Sequence, residues 1–219
     1  MSHQRPDRNA LFKMAENGVP VRDRVFGEGH YLRPQFIQPY RCQNVLIDSV
    51  TIQNSPMWEI HPVLCRNVIV QNVKINSHGP NNDGCDPESC TDVLIKDCYF
   101  DTGDDCIAVN SGRNADGRRL ATPSQNIVIR QCAMSEGHGG VVVGSQISGG
   151  ARFVFASACA LVILACLGLE HAADHTAFHA ARIEVNEEGT EAAAAARWGR
   201  GRRCASRGGR CRARGRGSR

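Results

Sequence analysis

Four segments of this 219-residue chain repeat one another closely enough to dictate its architecture: Asn44-Val-Leu-Ile-Asp-Ser-Val-Thr-Ile52, Asn67-Val-Ile-Val-Gln-Asn-Val-Lys-Ile75, Asp92-Val-Leu-Ile-Lys-Asp-Cys-Tyr-Phe100 and Asn126-Ile-Val-Ile-Arg-Gln-Cys-Ala-Met134. The starts at Asn44, Asn67 and Asp92 are almost evenly spaced, the interval to Asn126 is longer, and a weaker fifth copy begins at Phe153. Alternate residues in each copy are apolar, as at Val45, Ile47, Val50 and Ile52, which is the pattern of two short strands joined by a bend. So short a repeat cannot bury such a face alone. Stacking the copies buries it, because each strand then pairs with its counterpart one coil above and below. The expected fold is therefore all-β, an incomplete parallel β-helix over residues 39–160. A leucine-rich horseshoe has a similar period, but the recurrent leucine and helical half-repeat are missing. The Gly- and Arg-rich insertion at 113–122, which lengthens the third interval, reads as a loop.

Residues 1–38 hold no full repeat and read as a lead-in, with the 27–34 segment as a turn feeding the first coil. Residues 161–219 read as a divergent tail, disordered or partly helical. Ten arginines after residue 196 carry the net charge of +4 and leave residues 1–196 at −6. An Arg/Gly/Ala-rich stretch of this kind cannot bury a core. It fits a non-native reading of a GC-rich gene end, with a solvated tail or a phosphate-binding element as the alternatives. No nucleic-acid partner is expected unless that tail is native. Residues 153–169 are uncharged for only seventeen positions, the lower limit of a membrane span, and their first half fits the repeat, so no membrane contact is expected. The polar N-terminus has no signal-peptide core. Of the eleven cysteines, Cys98, Cys132 and Cys159 fall in register, as do Cys42, Cys65 and Cys90. Both sets read as stacked, packed residues, with disulfides or a metal as the lesser reading.

Three Gly-flanked turns between these strands concentrate polar chemistry: Asn81-Asn82-Asp83-Gly84, Gly103-Asp104-Asp105-Cys106 and Gly137-His138-Gly139. Asp104 follows Asp83 by close to one coil, and His138 follows Asp104 by the same lengthened interval that separates Asn126 from Asp92. This spacing puts three carboxylates and an imidazole on one face. Paired carboxylic acids cleave glycosidic bonds, one protonating the leaving oxygen and the other activating water. Crowding pushes their affinities for protons apart, leaving one protonated near working pH. An inverting enzyme would hold acid and base roughly 6.5 to 9.5 Å apart. No sequence feature calls for a metal or another cofactor.

These three motifs in order, with Ala108-Val-Asn-Ser-Gly112, Gly27-Glu-Gly-His30 and Trp58-Glu-Ile-His-Pro62, resemble the polygalacturonases of glycoside hydrolase family 28 over residues 26–155. The resemblance implies a right-handed parallel β-helix, inverting hydrolysis of α-1,4-linked galacturonan (pectin), a polysaccharide as the partner of a monomer, and a secreted or periplasmic setting. It makes Asp104 the general acid, Asp83 and Asp105 the holders of the attacking water, and His138 the support of the acid, with Asn81 and Gly139 at the substrate. The family's substrate-gripping Arg-Ile-Lys has its nearest match in Arg182-Ile183-Glu184, where glutamate stands in place of lysine. Arg182 is accordingly the candidate grip, and a non-cleaving, polysaccharide-binding remnant is the alternative to an active enzyme.

Overall fold

The computed structural model describes residues 3–161, 176–178 and 181–185. After helix α1 (Gln4–Glu16), the chain winds through β1 (Gln43–Asp48), β2 (Thr51–Gln53), β3 (Arg66–Gln71), β4 (Lys74–Ser77), β5 (Thr91–Lys96), β6 (Tyr99–Thr102) and β7 (Ile107–Val109). Helix α2 (Asn114–Leu120) interrupts it, and β8 (Ser124–Arg130), β9 (Ala133–Met134), β10 (Val141–Val143), β11 (Ala151–Ser157) and β12 (Cys159–Leu161) resume it. Two further strands, β13 (Thr176–Phe178) and β14 (Ala181–Val185), follow. One sheet runs β1-β3-β5-β8-β11-β14 and a second β13-β12-β9-β6-β4-β2. Pairing is parallel from β1 through β12, at the register the repeat requires: Val45 opposite Val68, Val68 opposite Val93, Val93 opposite Ile127, and Ile127 opposite Val154. The result is a right-handed parallel β-helix of five coils. β13 and β14 turn back and pair antiparallel with β12 and β11. The remainder of the tail, including the basic stretch, lies outside the described residues.

The bends have a local cause. Asn44, Asn67, Asp92, Asn126 and Phe153 all take positive φ, as do Ser49, Asn72, Asp97, Gln131 and Ala158 between the paired strands. Asn and Asp tolerate this left-handed conformation better than other non-glycine residues. Their amides also ladder from coil to coil: Asn67 Nδ2 donates to Asn44 Oδ1 at 2.7 Å, and Asn126 Nδ2 donates to Asp92 Oδ1 at 3.0 Å. Inside, Val68, Val70, Val93, Ile95, Ile127 and Ile129 stack from the first sheet against Ile75, Phe100 and Met134 from the second, all buried. The six registered cysteines are free thiols, five of them buried and Cys42 exposed. Cys65 Sγ lies 3.4 Å from the Cys42 amide and Cys90 Sγ 3.4 Å from the Cys65 amide.

The insertion expected to be a loop contains α2. Arg113 stacks on Phe12 of α1, with its guanidinium carbon 3.8 Å from the ring centroid. Arg24 forks onto Asp116, with Nη2 donating to Oδ1 at 2.9 Å. These partners come from the distant lead-in, so local sequence does not announce the helix. Gly117 admits it, because a Cβ there would stand 2.7 Å from the Gly112 backbone. Of the uncharged 153–169 run, the described part is strand, and among the described residues no helix is long and apolar enough to cross a membrane.

Phe100 is fully buried and lies beneath Gly84, next to the Asp83 turn. Replacing it with alanine is expected to cost about 3 to 5 kcal/mol of stability, measured by urea unfolding. A loss under about 1 kcal/mol would contradict the packing described.

Candidate active site

A third, sparser ladder carries the polar turns. Ile37, Ile60, Cys85 and Ile107 bridge in succession, and β7 pairs with β10 at Ile107 opposite Val141. Asp83 and Asp105 therefore occupy the same position on adjacent coils, with Gly139 above them. The backbone bonds agree: Gly84 N donates to Asp105 O at 2.9 Å, and Cys106 N donates to Gly139 O at 2.8 Å. Asp104 instead shares its rung with His138, whose amide donates to the Asp104 carbonyl at 2.9 Å. The rung interval thus runs from Asp83 to Asp105, one position beyond Asp104. Gly139 keeps the approach to Asp105 open, since a Cβ there would lie 3.0 Å from Asp105 Oδ1.

The structure brings Asp83, Asp104, Asp105 and His138 together. Carboxylate oxygens of the three aspartates lie within 4.8 Å of one another, and His138 Nδ1 is 3.0 Å from Asp104 Oδ1. Asp83 is almost fully buried, and burial, reinforced by the charges of Asp104, Asp105 and Glu59, holds its carboxyl up to about 8. Burial and the neighbouring Asp104 also raise Asp105. Like charges at this range in a low-dielectric setting do not ionise together, so the resting cluster retains a proton, which burial favours on Asp83. The wide gap expected of an inverting acid and base is not observed. The nearest oxygens come within 4.8 Å because three carboxylates share one face instead of two flanking a cleft.

Two further carboxyls lie behind the cluster, neither singled out from sequence. Glu59 and Asp86 are completely buried, with Glu59 Oε1 and Oε2 and Asp86 Oδ1 lacking hydrogen-bond partners. Burial pushes Glu59 up to about 7; the Ser77 hydroxyl faces it and tempers the shift without closing a well-formed hydrogen bond. Burial and the adjacent Asp83 raise Asp86 well above the carboxylate range. Unpaired buried charge is costly, so burial favours the neutral form of both. The Trp58-to-Pro62 motif supplies Glu59 and also His61, which faces Glu88 at 2.7 Å and Gln38 at 2.9 Å.

Sequence reasoning also missed Arg33. Its Nη2 donates to Asn81 Oδ1 at 2.7 Å, its Nη1 donates to the carbonyls of Pro80 (2.6 Å) and Pro56 (3.0 Å), and Nε donates to Gln4 at 3.1 Å. Asn81 Nδ2 in turn donates to Asp104 Oδ2 at 3.3 Å. Asn81, expected at the substrate, is thus attached to Asp104. Arg182, the expected grip, is described by its backbone alone. It lies on β14 in the first sheet, its backbone opposite Phe155.

His78, Asp101 and Glu136, just ahead of the three motifs, also offer ligand atoms within 4.8 Å of one another. His78 Nε2 is 3.0 Å from Asp101 Oδ1 and Nδ1 is 3.8 Å from Glu136 Oε2, so the imidazole already faces both carboxylates. A cleft of about 460 Å³ lies elsewhere, between α1, α2 and the coil edges, lined by Leu11, Phe12, Val21, Tyr40 and Leu120 among others. It contains none of the clustered acids, and Arg24, Arg41, Arg113 and Arg119 stand among its apolar walls.

Comparison with known proteins identifies the family. The family described as glycosyl hydrolases family 28 matches residues 27–155. A probable polygalacturonase of Vitis vinifera is 38% identical over 131 residues, covering 58% of this chain and 27% of that protein. A Juniperus ashei polygalacturonase is 34% identical over 124 residues, covering 55% of this chain and 22% of that protein. The crystal structure of a hyperthermoactive exopolygalacturonase from Thermotoga maritima superposes with a TM-score of 0.72 at 55% identity, covering 73% of this chain and 37% of that one. A Yersinia enterocolitica family 28 exopolygalacturonase shares the fold, with a TM-score of 0.52 at 20% identity over 72% of this chain and 28% of that one. The chain thus spans about a quarter of the length of these sequence relatives.

The buried acids predict a direction for pH dependence of stability. Asp83 and Glu59 keep protons that the unfolded chain releases near pH 4, so their stabilising contribution is full below that and is lost as pH rises through about 7 and about 8. Urea midpoints should fall from about pH 4 to about pH 8, and Asp83→Asn should flatten the decline. A variant profile parallel to the parent would contradict the raised Asp83.

Proposed function

Because the chain belongs to the glycosyl hydrolases of family 28, we propose that it hydrolyses α-1,4-linked galacturonan, using the aspartate cluster as its acid–base machinery. The observation that carries the reading is the contact of Asp83, Asp104 and Asp105, with His138 on Asp104. In the productive arrangement the shared proton sits on Asp104 Oδ1, beside the His138 ring, and passes to the glycosidic oxygen as the bond breaks. Asp83 and Asp105, one above the other, hold the water that attacks the anomeric carbon, and they take up its proton. Inversion is favoured over a covalent intermediate despite the short separation. Asp83 is too buried to reach a sugar carbon, whereas it can orient a small water molecule.

The 55% identity to the Thermotoga exopolygalacturonase supports attack from chain ends. The reading extends to a monomer working on pectin outside the cytoplasm. Asp104→Asn should lower the release of reducing ends from polygalacturonate by about 10²- to 10⁴-fold with an unchanged circular dichroism spectrum. A variant that keeps its rate, or that melts, would remove Asp104 from the acid role. Proton NMR of the first product should show the β-anomer, and an initial α-anomer would establish retention. Binding of polygalacturonate without cleavage by the parent chain would favour a polysaccharide-binding remnant.

A further inference from the structure

We propose that Arg33 is a positioning residue for the general acid, acting through Asn81 to fix which oxygen of Asp104 is free to carry the proton; this rests on the galacturonan-hydrolase reading above. The chain of contacts runs from the lead-in to the chemistry: Arg33 Nη2 donates to Asn81 Oδ1 at 2.7 Å, Asn81 Nδ2 donates to Asp104 Oδ2 at 3.3 Å, and His138 Nδ1 meets Asp104 Oδ1 at 3.0 Å. Hydrogen-bond chemistry sets the direction of each link. A guanidinium only donates, so the Asn81 oxygen must face it, and the amide nitrogen must turn the other way, towards Asp104. Oδ2 is thereby committed as an acceptor, and the proton to be transferred is left to Oδ1, on the imidazole side.

Arg33 is suited to this task because its other donors are anchored. Nη1 holds the Pro56 and Pro80 carbonyls on two successive coils, and Nε is bonded to Gln4 on α1. The planar fork therefore presents Nη2 to Asn81 at a fixed angle, which a lysine could not do. Asn81 itself sits at a positive φ of 57°, in a turn where the side chain would otherwise be free to rotate. Without Arg33, either amide orientation could face Asp104, and in the flipped one the amide oxygen would take the proton of Oδ2–H.

The test is a double-mutant cycle on the full 219-residue chain, R33M and N81A, with steady-state kinetics on polygalacturonate and urea unfolding in parallel. R33M should lower kcat by about tenfold to a hundredfold with KM within about threefold, and R33M/N81A should be no slower than the slower single variant by more than about twofold. Losses that multiply, or an R33M kcat equal to the parent's, would overturn the proposal. So would a loss matched by KM and explained by the fraction unfolded. R33K, which keeps a donor for the Pro80 carbonyl but lacks the second arm, should lose kcat in the same way and serves if R33M does not fold. If the parent chain releases no reducing ends, the hydrolase reading fails while the Arg33 link is still decided by NMR. The Asn81 side-chain amide should exchange slowly with solvent in the parent and rapidly in R33M, and unchanged exchange would refute the link.

Discussion

Everything in this molecule depends on the parallel backbone register between coils. Each rung repeats the last through main-chain hydrogen bonds, so a residue's height and face are set by its position in the repeat. Apolar residues at repeat positions become the core, asparagines become the bends, and turn residues stack into a polar ladder. The site is a consequence of that stacking. Asp83 meets Asp105, and Asp104 meets His138, because Cys85, Ile107 and Val141 are held in line.

Stacking also imposes an electrostatic cost, since one acid per coil becomes several acids in contact. The chain resolves this by burial and shared protons. Asp83, Glu59 and Asp86 are buried and favour their neutral forms, while the more accessible Asp104 is gripped by Asn81 on one oxygen and His138 on the other. Asp83 and Asp105 thus stand together beside the half-buried Asp104.

The repeat made the fold legible: the intervals that separate Asn44, Asn67, Asp92 and Asn126 in the sequence are the registers observed between β1, β3, β5 and β8. The cysteine columns and the grouping of three aspartates with His138 could also be read from spacing. Spacing was blind to relations not encoded by the period. α2 is held by Phe12 and Arg24, and Arg33 reaches Asn81 from far outside the repeat. Glu59 lay within a recognised motif, yet its isolation is a matter of what fails to surround it, which no linear pattern records. The single position by which the Asp83–Asp104 spacing falls short of the rung interval decided which acid sits above which, and the carboxyl separation depends on side chains turning towards one face.

The central claim is that a galacturonan chain lies across these three turns with its scissile bond at Asp104. The most direct measurement is a crystal structure of the D104N variant soaked with a galacturonan oligosaccharide. The account predicts the glycosidic oxygen within roughly 3 Å of the side chain at position 104 and a water bridging Asp83 and Asp105 beneath the sugar. An oligosaccharide bound on another face, or in the cleft beside α1 and α2, would contradict it.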